Sequence, residues 1–266
     1  MTARGWAVVT GASSGIGAAF ARALDRRGHP LLLVARRRER LEALAATLSR
    51  AEVLTADLGD EAEVARVAAH ALALGEVELL INSAGFGSNG AFLALDGARE
   101  VEMVKLNALA PLLLAQRLVP AMVARGAGGV INVSSIAAFQ AVPYMATYGA
   151  SKAFLLSWSE ALAHELGGSG VRVLAVCPGP TATEFFDVAS MNPALKKLPH
   201  VVSAERLVAR TLAAFDGGRA VLVPGLVNWL TAFVNRLVPR RLVLAVTARM
   251  FAPRRPKALP PPAAPP

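Results

Sequence analysis

At 266 residues the chain exceeds the roughly 100–200 of a typical domain, yet single α/β domains routinely reach about 250, so one catalytic domain with an appendage is expected. With 54% apolar and 18% charged residues and a mean hydropathy of +0.45, it is too apolar for a disordered chain and rich even for a soluble enzyme. The net charge of +9 is lopsided, with eight basic groups and no acid between residues 217 and 266, and the lone cysteine, Cys177, excludes an internal disulfide or a cysteine metal cluster.

Short β-branched apolar runs alternate with longer segments of helical periodicity, the pattern of a parallel sheet with crossover helices. The predicted strands are Trp6–Thr10, Pro30–Ala35, Glu52–Ala56, Leu79–Asn82, Val130–Ser134, Arg172–Pro178 and Ala220–Val223. Helices are predicted near Ile16–Arg27, Arg38–Arg50, Glu61–Leu74, Arg99–Ala124, Tyr148–Gly167 and Ala204–Phe215. This is an α/β fold of Rossmann type, a doubly wound parallel sheet of about seven strands flanked by helices. Residues 1–224 are expected to form it. Ligands of such sheets lie beyond the carboxyl ends of the strands.

The first strand runs into Thr10-Gly11-Ala12-Ser13-Ser14-Gly15-Ile16-Gly17 and opens a helix, placing three glycines where backbone must turn tightly against a pyrophosphate at a positive helix end. The second strand ends without the carboxylate that would bind a ribose diol. It runs instead into Arg36-Arg37-Arg38, whose guanidinium groups suit a 2′-phosphate, so NADP(H) is expected over NAD, with Arg36 as the reader.

After the fifth strand come Ser134-Ser135, then Tyr148 and, one helical turn later, Lys152. A tyrosine works as a general acid near neutrality if a neighbouring ammonium favours its ionised form, which Lys152 would supply. Ser135 could donate to a developing oxyanion. Asn107 lies mid-helix with Pro111 four positions on; lacking an N–H, Pro111 leaves the Asn107 carbonyl without its helical donor and open to a water. His29, His70, His164 and His200 show no ligand spacing, and no metal is expected.

In order along Trp6 to about Val223 these motifs resemble the short-chain dehydrogenase/reductase family: TGASSGIG, Asp57-Leu58, Asn82-Ser83-Ala84-Gly85, Asn107, Ser135, Tyr148, Lys152 and Pro178-Gly179. The resemblance implies that Tyr148 is the general acid/base, that Lys152 binds the nicotinamide ribose and lowers the phenol pKa, that Ser135 polarises the carbonyl, and that the Asn107 carbonyl holds a relay water. It implies cofactor contacts from Gly11, Ser13, Ser14, Gly15, Ile16, Gly17, Arg36, Asp57, Leu58, Asn82, Ala84, Gly85, Pro178, Gly179, Thr181 and Thr183, and commonly a homodimer or homotetramer. Ser83 stands where the family usually has a second asparagine, and Ser14 where some NADP-preferring members carry a base. Thr183 to Ser203, with Phe185, Phe186, Met191 and Asn192-Pro193, falls at the family's mobile substrate lid.

From residue 225 to 252 the sequence predicts a basic helical extension. Leu226, Trp229, Leu230, Phe233, Val234 and Leu237 share one side of a helix and Asn228, Thr231 and Asn235 the other; Pro239, Arg240 and Arg241 precede a second apolar segment, and a proline-rich, disordered tail is expected over 253–266. Bases interleaved with Leu, Val, Phe and Trp suit an anionic membrane surface, through residues 226–257, better than nucleic acid. Packing of the same apolar face on the catalytic body or another subunit is the competing reading. With no uninterrupted run of 18 apolar residues and only a strand-length apolar run at Trp6–Val9, the chain is expected to be cytoplasmic, peripheral on a membrane at most. The expected activity is NADP-dependent interconversion of an apolar carbonyl and its secondary alcohol; a 3-oxoacyl thioester reductase or a non-catalytic NADP-binding scaffold on membranes are the alternatives.

Overall fold

A computed structural model describes residues 4–189 and 201–252. The elements run β1 (Trp6–Thr10), α1 (Gly15–Asp25), β2 (Leu31–Ala35), α2 (Arg38–Ala45), β3 (Ala51–Thr55), α3 (Glu61–Leu74), β4 (Val77–Asn82) and α4 (Gly97–Val104). They continue with α5 (Ala110–Arg125), β5 (Gly128–Val133), α6 (Ala146–Glu165), β6 (Val171–Val176), β7 (Thr181–Ala182), α7 (Phe185–Val188), β8 (Val202–Ser203), α8 (Ala204–Asp216), β9 (Val221–Leu222), α9 (Leu226–Val234) and α10 (Arg240–Phe251). The sheet is parallel and seven-stranded, as the sequence predicts, in the order β3-β2-β1-β4-β5-β6-β9; β7 and β8 pair separately. The proline-rich tail, Met191 and the Asn192-Pro193 break lie outside the described residues.

Both faces of the sheet are covered because its strands are apolar at most positions while successive side chains point to opposite sides. Ala7, Val9, Leu31 and Leu33 join a core with Phe20, Leu41 and Leu212, whereas Val8, Leu32 and Val34 join a second with Val67, Leu114 and Leu118. The strand order reverses at β1, which pairs with β2 on one side and β4 on the other, so a crevice opens at the ends of β1 and β4.

Two helices differ from expectation. α2 stops at Ala45, five residues short: the Thr47 hydroxyl donates to the Leu44 carbonyl at 2.7 Å, and the Ser49 N–H donates to Asp25 Oδ1 at 2.8 Å, local bonds that compete with helix continuation. Between α4 and α5 the backbone widens into a π turn over Lys105–Leu109, where the Ala110 N–H reaches back to the Lys105 carbonyl. Pro111, which has no N–H to give in the four-residue register, sits just past this change of ladder. The combined helix Gly97–Arg125 is long and apolar enough by average hydropathy to cross a membrane, although no uninterrupted apolar run is. Half of that stretch is buried, and Leu114, Leu118 and Met122 are fully enclosed in the core.

Candidate active site

The glycine-rich turn shows why its residues are glycine. Gly11 and Gly15 have φ of +67° and +53°, and a Cβ on Gly17 would lie 2.3 Å from the Gly11 carbonyl oxygen. Thr10 locks this turn to the end of β4: its hydroxyl accepts from the Ser83 and Ala84 N–H groups at 3.0 and 3.1 Å and donates to the Ile81 carbonyl. Those bonds come from backbone, which explains how Ser83 serves where a second asparagine is usual.

A cavity of about 910 Å³ opens at this crevice. Of the catalytic and cofactor residues that the resemblance implies, all line it except Gly17, Asn82 and Asn107, which stand behind its wall. Asn107 is completely buried, and its side chain is fully bonded: Nδ2 donates to the Phe86 carbonyl (3.0 Å) and to Ser151 Oγ (3.1 Å), while Oδ1 accepts from the Phe86 N–H (3.2 Å). It thereby clamps the β4 loop against α6. Asn82 donates to Asn132 Oδ1 and Asn132 to Ser159 Oγ, both at 2.8 Å, a polar chain crossing from β4 through β5 to α6. Asn82 Oδ1 is buried without a partner among the described residues.

Ser135, at the end of β5, caps a short 3-10 turn by accepting from the Ala137 N–H. Tyr148 and Lys152 are buried on α6; the Lys152 ammonium donates to the Val133 carbonyl at 2.9 Å and lies 5.9 Å from the Tyr148 ring centroid. Ser134 fixes that turn of α6 by donating to the Lys152 carbonyl. Burial pushes the Tyr148 phenol up to about 12, opposed by hydrogen bonding with Ser135, and pushes Lys152 down to about 8. Desolvation is the dominant influence on both groups. Cys177 is buried, and its thiol is likewise driven up to about 12 and inert.

The arginines divide differently from the sequence reading. Arg36, on the cavity wall, pairs with Glu102 (2.7 Å) and Asp57 (3.6 Å), whereas Arg37 donates to both Ser13 Oγ and Ser14 Oγ on the glycine-rich turn and pairs with Glu184 at 2.9 Å. Glu184, also held by Arg40 at 2.6 Å, stays ionised through these two partners. Successive residues leaving a strand point opposite ways, so Arg37 reaches the turn while Arg36, the residue expected to read the 2′-phosphate, lines the cavity beside Asp57. Asn132 and Thr10 were also missed; an asparagine inside the apolar run Val130-Ile131-Asn132-Val133 was the available signal for the first.

The substrate side is apolar. Phe185 lies against Tyr148 with ring centroids 5.2 Å apart, and Phe86, Val142, Met145 and Phe251 pack around the phenol. α9 and α10 wall the cavity with Val227, Val234, Val238, Leu242, Val246 and Met250. They are tied down by Asn235 to Gln140, by Thr247 to the Ala141 carbonyl, and by Asn89, which donates to the Phe251 carbonyl at 3.0 Å.

A parallel sheet with a glycine cradle at its switch point, and a serine, tyrosine and lysine on the adjacent wall, defines a nucleotide-dependent oxidoreductase fold. The family model for short chain dehydrogenase matches residues 5–193, and the chain belongs to that family. It is 31% identical to a very-long-chain 3-oxoacyl-CoA reductase of Mycosarcoma maydis over 93% of this chain and 73% of the relative. Among solved structures it resembles a short-chain dehydrogenase of Sphingobium yanoikuyae in complex with NADPH (36% identity, TM-score 0.80, 88% and 94% of the two chains). It also resembles a bulky-bulky ketone specific alcohol dehydrogenase of Comamonas testosteroni (34% identity, TM-score 0.77, 89% and 93%).

Proposed function

We propose that the protein is an NADPH-dependent reductase of apolar ketones. The observation that carries this reading is the convergence of Ser135, a protonated Tyr148 and Lys152 on a cavity whose other wall is the glycine cradle. The cradle fits a dinucleotide: Gly17 leaves no room for a Cβ against the Gly11 carbonyl and so keeps the turn tight, Asn82 Oδ1 is buried unpartnered behind it among the described residues, and Arg37 with Ser13 and Ser14 offers donors to a 2′-phosphate. Gly11, Gly15, Asp57 and Thr183 would complete the contacts.

A bound nicotinamide cofactor supplies hydride. The chain's own residues supply the proton and the polarity. Burial keeps the Tyr148 phenol protonated at neutral pH, and it would give that proton to the oxygen of a carbonyl being reduced, yielding the alcohol. Ser135 donates to the same oxygen as charge develops there. Lys152, with a pKa of about 8, remains mostly an ammonium at neutral pH and places positive charge beside the phenol that gives up the proton.

The 3-oxoacyl thioester reading rests on the Mycosarcoma relative and the ketone reading on the Comamonas structure; both substrates are apolar, as is the wall formed by Phe185, Val142 and Phe251. The test is NADPH consumption, against NADH, over bulky ketones, steroids and 3-oxoacyl thioesters, with Tyr148→Phe in parallel. Turnover with NADPH that falls by about 10²–10⁴ in the variant, at unchanged NADPH affinity, is expected. Equal rates in both proteins would remove Tyr148 as the acid.

A further inference from the structure

The C-terminal helices pack on the body with the unexpected side inward. α9 turns Asn228, Ala232 and Asn235 toward the protein and leaves Leu226, Trp229, Leu230, Phe233 and Leu237 outside. Trp229 is 49% exposed and stacks on Phe233, ring centroids 5.4 Å apart, rather than on the core. A helix of a water-surrounded surface puts its apolar stripe the other way. Of the nineteen large apolar side chains exposed among the described residues, eleven lie between Leu226 and Met250, which makes this a patch and not scatter.

Charge says what covers it. Arg236, Arg240, Arg241 and Arg249 are exposed within the same segment, and residues 217–266 hold eight bases and no acid. A second copy would set this cationic face against itself, whereas an anionic bilayer complements it and accepts Trp and Phe at its boundary. Val227, Val234, Leu242, Val246 and Met250 are exposed and also line the cavity, so the apolar surface continues from the outside into the site.

We propose that α9 and α10 dock this face on an anionic lipid bilayer, Trp229 and Phe233 entering the acyl boundary and the arginines meeting headgroups, with the cavity mouth turned to the membrane. That the mouth admits apolar substrate from the lipid rests on the reductase reading above; the docking does not.

The experiment floats the full chain with vesicles of phosphatidylglycerol and phosphatidylcholine, and with phosphatidylcholine alone. Binding to the anionic vesicles is expected, weakened by salt. Trp229→Ser with Phe233→Ser should lose at least about tenfold, and Arg240→Gln with Arg241→Gln roughly fivefold per arginine. None of the four residues lines the cavity. Thermal melting reports that each variant folds, and NADPH titration reports on the cofactor site separately. Wild type that ignores anionic vesicles, or variants that float equally well, would overturn the proposal. So would an oligomer that the Trp229/Phe233 variant splits while vesicles leave wild type unbound, which would assign the face to a second copy.

Discussion

The glycine-rich turn and the C-terminal helix pair wall the same cavity under opposite constraints. At the turn, backbone approaches backbone: Gly17 has no room for a single carbon, and Thr10 ties β1 to the end of β4 with three hydrogen bonds. At the helix pair, contact with the body runs through a few polar side chains, Asn235, Thr247 and the partner Asn89, while most large apolar groups face outward. One wall is specified by sterics that tolerate no substitution; the other is specified by an outer surface, and its sequence should vary freely in size but not in character.

The largest effect that would sharpen this contrast is Gly17→Ala. Its Cβ meets the Gly11 carbonyl, an atom that cannot move without opening the turn, so NADPH binding measured by nicotinamide fluorescence should vanish. Retained binding would mean that the cradle is looser than its geometry. Next comes Asn107→Leu, which strands the buried N–H and carbonyl of Phe86 and should cost about 3 kcal/mol, read as a melting temperature lower by roughly 10 °C.

Lys152 gives a pH test of the same rigid half. Its pKa falls from 10.5 to about 8 on folding, so the unfolded chain binds more protons and stability should rise as pH climbs from about 8 to 9, where the Cys177 thiol, raised from 9.0 to about 12, begins to oppose the gain. Below pH 8 the buried charge costs on the order of 3 kcal/mol. Lys152→Met should therefore raise the melting temperature at neutral pH and flatten its alkaline rise, while turnover is lost. The reductive rate of wild type should decline above about pH 8 as the ammonium disappears.

How much was legible in the sequence follows the same division. The parallel sheet and its strands were readable because strands buried on both faces are nearly continuous apolar runs, and the Gly11–Gly17 spacing with Tyr148 and Lys152 one turn apart is local. What was not legible depends on contacts distant in sequence. Arg37 rather than Arg36 reaches Ser13 and Ser14, some 23 residues back, and Asn107 works through Phe86, 21 residues away. The phenol's upward shift needs three-dimensional burial, which a Tyr-x-x-x-Lys spacing does not contain. In α9 the apolar stripe was read correctly, but its direction was fixed by Asn235 finding Gln140, 95 residues earlier.

A smaller pair of substitutions probes the edge between the two walls. Arg37 should bind a 2′-phosphate where it now holds Glu184, so Arg37→Ala should lower the preference for NADPH over NADH by about tenfold. Glu184→Gln should raise it by roughly threefold, by releasing the same guanidinium. Equal changes for both cofactors, read by parallel titrations, would place Arg37 on the diphosphate or the turn itself.

The smallest effect is expected at the outer face of α9. Leu230→Ser removes a side chain that is 44% exposed, touches neither cavity nor core cluster, and leaves Asn228, Ala232 and Asn235 in place. Melting temperature and NADPH affinity should stay within error of wild type, since substitutions away from buried features move stability by about 0.5 kcal/mol or less. A large drop in either would mean that this face is covered by the protein's own chain, and would erase the distinction between a wall held by its interior and one held by what it meets outside.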